Sequence, residues 1–151
     1  MIRVFDGDLL DSGANFICHQ VNCQGVMGSG VAKQIKEQFP NVYEQYKTVA
    51  SSEMLGHIQP IQINEIQYVC NFFAQDNYGY NGKQYTNLEA LRQCFKTLKE
   101  SLKSSNWEDA VIAMPWKIGC VRGGADWEVV YQMIEEEFVD FRVELWRLDK
   151  G

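Results

Sequence analysis

No CxxC pair occurs in this chain. Its five cysteines, Cys18, Cys23, Cys70, Cys94 and Cys120, are odd in number and scattered. That pattern argues against a disulfide framework or a structural zinc site and fits buried thiols in a reduced, cytoplasmic setting. His19 and His57 have no metal-ligand partner at a standard spacing, so no metal is expected. No apolar run is long enough to span a bilayer. Arg3, Asp6, Asp8 and Asp11 break the pattern of a secretory leader. Positive charge is scarce: 14 Lys and Arg stand against 20 Asp and Glu, a net −6. A broad basic footprint, the usual mark of a general nucleic-acid binder, is therefore missing, although a local basic patch is not excluded. There is no repeat, low-complexity tract or linker. No GKS or GKT follows a glycine loop, which excludes a Walker A site, and no clean GxGxxG occurs.

What remains is ordinary globular material. The chain has 151 residues, of which 46% are apolar and 23% charged, as expected for one domain over 1–151 with its own core. Residues 1–5 read as a strand and 15–22 as a second, apolar enough to be buried on both faces. Residues 28–39 read as a helix ending at Pro40, and 41–50 as another helical piece. The stretches "GHIQPIQIN" and "IQYVCNFFAQ" read as a β-hairpin, with Pro60 marking the first as an edge strand. A loop covers 76–85. Thr86 then opens an amphipathic helix, with Glu89 three residues on as a capping box. Residues 109–115 form a short buried strand. A second glycine loop, a helix from "WEVVYQMIEEEF" and a closing strand "FRVELWRL" complete the chain. Alternating strands and helices with one inserted hairpin predict an α/β fold: three layers, α/β/α, around a mixed central sheet.

Two glycine loops lie at strand-to-helix junctions, "GVMGSG" before one helix and "IGCVRGG" before another. Ligands of open α/β sheets collect at the carboxyl ends of the parallel strands. Helix N-termini present unpaired N–H groups with partial positive charge, and glycine leaves room for an anion against the main chain. Two such loops at neighbouring strand ends suit a diphosphate.

Four stretches together resemble the macrodomain, the ADP-ribose-binding module, over nearly the whole chain: "VFDGDLLDSGANFICHQVN", "NCQGVMGSGVAKQIKEQFP", "MPWKIGCVRGGADWEVVYQMIEEEF" and "VELWRL". The order and spacing are similar to the small phage-type and terminal ADP-ribose glycohydrolase-like branch, near the yeast ADP-ribose 1″-phosphate phosphatase. The resemblance implies that Asp8 accepts from the adenine amino group and that Leu9 lends a backbone N–H. It implies that Gly25, Val26, Met27, Gly28, Ser29, Gly30 and Val31 wrap the distal ribose and one phosphate. Ile118, Gly119, Cys120, Val121, Arg122, Gly123 and Gly124 would hold the diphosphate from the other side, with Trp146 near the adenine or simply in the core. His19 would be an acid–base group titrating at about 6–7, or a hydrogen-bonded core residue. Asn22 would stand beside the distal ribose. Asp126 would orient a water or cap the following helix. The glycohydrolase branch uses a lysine and an aspartate whose positions fall at Ala74 and Gly123, so a lysine Schiff base is not supported.

Two functions follow from the resemblance. One is hydrolysis of an ADP-ribose derivative at the distal ribose, either ADP-ribose 1″-phosphate or an ADP-ribosyl ester. The other is non-catalytic reading of ADP-ribose or of mono-ADP-ribosylated protein or nucleic acid. A module taking another nucleotide is a third. A monomer without a resident cofactor is expected.

Overall fold

The computed structural model describes residues 1–79 and 81–148; the expected 76–85 loop therefore includes one position, Tyr80, outside the described residues. In chain order the elements are β1 (Ile2–Asp6), β2 (Phe16–Asn22), α1 (Gly30–Gln38), α2 (Pro40–Val49), β3 (Ile58–Gln62), β4 (Tyr68–Gln75), α3 (Leu88–Ser104), β5 (Val111–Pro115), α4 (Trp127–Glu137) and β6 (Arg142–Arg147). Short 3-10 turns lie at Leu9–Asp11 and Ser52–Met54. The strands form one sheet in the order β1-β6-β5-β2-β4-β3. Every neighbouring pair is parallel except β3 with β4, the expected hairpin, and β3 with Pro60 is an edge strand. The mixed α/β/α architecture is as expected.

Each face of the sheet has its own core. One face carries Phe16, Cys18, Cys70, Phe72, Ala74, Ile112 and Met114 against α3 and α4. In α3, Leu91, Phe95, Leu98 and Leu102 make the apolar stripe. The other face carries Val21, Phe73 and Val69 against α1 and α2, through Tyr46, Ile35 and Val42. A strand between two cores is apolar on both sides, which is why β2 and β4 lack alternation.

Three boundaries differ from expectation. Gly28 and Ser29 stay outside α1, because Ser29 is extended at φ −156° and ψ 161°. Pro40 opens α2 as well as closing α1; its fixed φ and missing N–H suit a first helical turn. Thr86 does not cap α3: Asn87 does, its side chain accepting from Ala90 N at 3.0 Å.

The seam between β2 and β5 decides where the site lies. These strands share only two registered pairs, Phe16 with Ile112 and Ile17 with Ala113. Beyond them β2 continues beside β4 to Asn22, and β5 continues beside β6 to Pro115. The sheet splits at the carboxyl ends of its two central strands, and both glycine loops start from the split.

Candidate functional site

A cleft of about 410 Å³ fills this split. Of the expected site residues, His19, Asn22, Val26, Gly28, Ser29, Gly30, Val31, Ile118, Gly119, Val121, Arg122 and Gly123 line it. A side cavity of about 390 Å³ continues past Val121 and Arg122 to Gly124, Gly79, Gly82 and Lys83.

The first loop is organised by one side chain. Asn22 Nδ2 donates to Val26 O at 2.8 Å, and its Oδ1 accepts from Gln24 N at 3.0 Å and Val26 N at 3.4 Å. The buried Tyr46 hydroxyl lies 2.8 Å from the same Oδ1 and 2.7 Å from Asn22 O. The amide of Asn22 is thus engaged in holding the loop. The loop delivers the chain to α1, whose Ser29 makes no side-chain cap. The first amides of α1 therefore face the cleft with no partner inside the helix. Gly30 sits at φ +60°, a backbone that side-chain-bearing residues rarely adopt.

The second loop is held from outside. Gly123 O accepts from Tyr85 N at 2.7 Å and Thr86 N at 3.0 Å. Thr86 Oγ1 donates to Gly119 O at 2.6 Å and accepts from Gln20 Nε2 at 2.7 Å, which also donates to Gln75 Oε1 at 2.6 Å. A Cβ on Gly123 would fall onto Thr86 Oγ1 and come within 2.5 Å of Gly119 O. No side chain fits at 123, which gives a steric reason why an aspartate is missing there. Ala74 is buried in the core under α3. The neighbour that lines the cleft from this strand end is Gln75. The lysine-equivalent place read at 74 is thus turned away from the cleft, and the cleft-facing position holds an amide.

His19 is buried, with Nε2 2.5 Å from Asn71 Oδ1 and Nδ1 without a partner among the described residues. Burial is the main influence on its pKa and pushes it down to about 4, against a smaller upward pull from Asn71. The expected titration at 6–7 is therefore displaced: His19 is neutral throughout the physiological range.

Other expected residues lie off the cavity. Asp126 caps α4, its Oδ1 accepting from Glu128 N at 2.9 Å. Asp8 caps the 9–11 turn, accepting from Leu10 N at 2.9 Å through one carboxylate oxygen. Leu9 is buried in a small cluster that Trp146 also joins. Trp146 stacks on Phe5 at 5.1 Å and donates from Nε1 to Glu144 at 2.9 Å. Met27 is buried with Val21, Tyr46 and Phe73. Gly25 and Cys120 do not reach the cleft wall; Cys120 packs against the main core. Among residues the sequence reading omitted, Gln20, Gln75, Tyr78, Trp116 and Lys117 line the cleft. Trp116 and Lys117 open the second loop, and Lys117 adopts φ +62°. Among the described residues, no group of His, Cys, Asp and Glu could hold a metal, and no helix is long and apolar enough to cross a membrane.

The model of the Macro domain family matches residues 18–134, from the middle of β2 to the last turns of α4. This chain belongs to the Macro domain family. It is 28% identical over 97% of its length to a DNA ADP-ribosyl glycohydrolase of Thermus aquaticus, of which the match covers 40%. It is 27% identical over 95% of its length to an ADP-ribose 1″-phosphate phosphatase of Scheffersomyces stipitis, and that match covers 98% of the relative. The solved macrodomain of Mycobacterium tuberculosis DarG superposes with a TM-score of 0.80 at 25% identity, covering 97% of both chains. The chain spans about two fifths of the length of the glycohydrolases it matches.

Proposed function

We propose that the cleft of this Macro domain binds ADP-ribose and hydrolyses an ADP-ribose derivative at its distal ribose. One observation carries the binding: two glycine loops at the ends of β2 and β5 face each other across about 410 Å³, one ending in the uncapped start of α1. That arrangement supplies backbone donors to a diphosphate from two sides. The relatives' names support hydrolysis, since they act on ADP-ribosylated DNA and on ADP-ribose 1″-phosphate. The bond broken joins C1″ to an ester or base substituent, or a phosphate to the oxygen on C1″. Water adds to one fragment as hydroxide and to the other as a proton. His19, neutral at the cleft wall, is the candidate to take that proton from the attacking water, and loop N–H groups would stabilise developing charge. Asp8 would meet the adenine through its second carboxylate oxygen. The adenine would then lie along β6 near Trp146.

A second reading, a reader that binds without turnover, is favoured by a different observation. The amide of Asn22 and a carboxylate oxygen of Asp126 are both spent on structure. A reduced, cytoplasmic setting belongs to the same proposal and rests on five free thiols; a monomer is proposed with it.

The deciding experiment incubates the protein with ADP-ribose 1″-phosphate, with ester-linked ADP-ribosylated protein and with ADP-ribosylated DNA. Released phosphate and ADP-ribose are measured, alongside calorimetry with ADP-ribose and AMP. Release from at least one substrate is expected, with ADP-ribose bound far more tightly than AMP. Binding without any release makes the protein a reader. Equal affinity for AMP and ADP-ribose removes the two-loop reading.

A further inference from the structure

A polar row, buried at His19 and Asn71 and half-buried at Gln59, crosses three strands on the face packed by α1 and α2. His19 of β2 is registered with Asn71 of β4, and Asn71 with Gln59 of β3. Registered residues on adjacent strands share a face, so the three side chains lie in line from the cleft to the edge of the sheet. Their hydrogen bonds have one direction. His19 Nε2 meets Asn71 Oδ1 at 2.5 Å, Asn71 Nδ2 donates to Gln59 Oε1 at 3.0 Å, and Gln59 Nε2 donates to Gln45 O at 3.3 Å.

The last acceptor is a backbone carbonyl of α2, which can never donate. It therefore fixes the Gln59 amide with its oxygen toward Asn71. That in turn fixes Asn71 with its oxygen toward His19. Reversing either amide would set oxygen against oxygen at the next link. His19 must then carry its proton on Nε2, and Nδ1 must be the bare acceptor. Nδ1 is buried, has no partner among the described residues, and belongs to a residue lining the cleft. An unpartnered buried acceptor is costly, and such atoms call for a reason.

From this we infer that Asn71 and Gln59 are positioning residues, which act through His19 by holding it in the tautomer whose acceptor nitrogen serves the cleft. The inference rests on the proposed role of His19 for its benefit to catalysis, but the tautomer itself can be tested without turnover. Burial keeps the ring neutral over the working range, so a tautomer exists to be selected. Burial disfavours the charged ring, and the Asn71 hydrogen bond opposes it more weakly.

The test is long-range proton–nitrogen correlation NMR on protein labelled at histidine nitrogens, at neutral pH, with His57→Gln to assign His19. In the parent protein His19 should be a single Nε2–H tautomer. Gln59→Glu still accepts from Asn71 and should preserve it. Gln59→Lys can only donate. It should turn Asn71 around, so that its NH₂ group meets Nε2 and the proton moves to Nδ1. Asn71→Leu removes the link and should leave a mixture of tautomers; if it does not fold, Gln59→Lys decides alone. If folded Gln59→Lys keeps the Nε2–H tautomer, or the parent shows Nδ1–H, the relay is overturned. Turnover is measured on the same proteins. A loss of tenfold or more in kcat with KM little changed in Gln59→Lys, and recovery in Gln59→Glu, is expected. If the tautomer reverses while no protein, including the parent, turns over any substrate, the relay stands and the hydrolytic reading falls.

Discussion

The two glycine loops face the same cleft, but they are built differently. The first is wired mainly from within: Asn22 bridges its own loop, and the outside bonds to it come from the Tyr46 and Tyr43 hydroxyls and, at Cys23 and Gln24, from Asp76. The second is strapped from without, by Tyr85 and Thr86 backbone donors and by the Gln20–Thr86 side-chain pair. Its glycine at 123 leaves space for that strap, while the glycine at 30 allows a backbone angle. A glycine-rich stretch in a sequence thus hides two separate demands, room and torsion, which respond differently to substitution.

Adding one carbon should expose that difference most sharply at Gly123→Ala. The new Cβ collides with Thr86 and the Gly119 carbonyl, and all three atoms it meets belong to one hydrogen-bonded network. A loss of about 3 kcal/mol, at the top of the overpacking range, is expected. ADP-ribose affinity should fall at least a hundredfold. A melting temperature and affinity like the parent's would show that the strap is loose.

Acid should act next. His19 titrates at about 4 in the fold and near 6.5 unfolded, so between those values the unfolded chain holds the extra proton. Stability therefore rises with pH across that window and falls as the solution is acidified from 6.5 toward 4, by up to about 3 kcal/mol. Denaturant titrations of the parent and of His19→Gln at pH 4.5 and 7 measure it. A pH dependence that is the same in both proteins would place the effect elsewhere.

Asn22→Ala removes the internal wiring of the first loop and leaves the Tyr46 hydroxyl only the backbone carbonyl of residue 22. Roughly 1–3 kcal/mol of stability should be lost, with ADP-ribose binding weakened while the second loop keeps its hydrogen-exchange protection. Gly30→Val is the torsional counterpart. Among the described residues nothing lies within 4 Å of its Cβ position, yet φ is +60°. About 1–2 kcal/mol is expected, with binding reduced, because the start of α1 must reorient. Gly28→Ala should be the mildest: its φ is not positive and its nearest neighbour, Val26 Cγ1, is at 3.5 Å. A stability change within about 0.5 kcal/mol is expected. A large effect there would mean that the first loop, too, is governed by space.

The sequence made the scaffold readable because β1, β2, β4 and β5 each run into a glycine-bearing turn and α3 carries a clear stripe. The cleft's location followed from those ends. Its side chains were harder to assign, for identifiable reasons. β4 is apolar on both faces, so nothing in "VCNFFAQ" distinguishes the core-facing Ala74 from the cleft-facing Gln75. Asx chemistry is local and ambiguous: Asn22, Asp8 and Asp126 are residue types that both serve ligands and cap turns, and in the fold all three do the second. The depressed pKa of His19 comes from surroundings contributed by several segments, which no local motif encodes.

The short seam between β2 and β5 has a mechanical meaning. The sheet is two three-stranded slabs, β1-β6-β5 and β2-β4-β3, stitched edge to edge by only two registered residue pairs. Each slab carries one glycine loop at the open end of the stitch. A ligand that touches both loops acts as a clasp across the opening, and the slabs then move as one plate. Occupancy should therefore be felt along the whole seam: amide exchange at Ile17, Cys18 and Ala113 should slow on binding, well below the atoms the ligand touches.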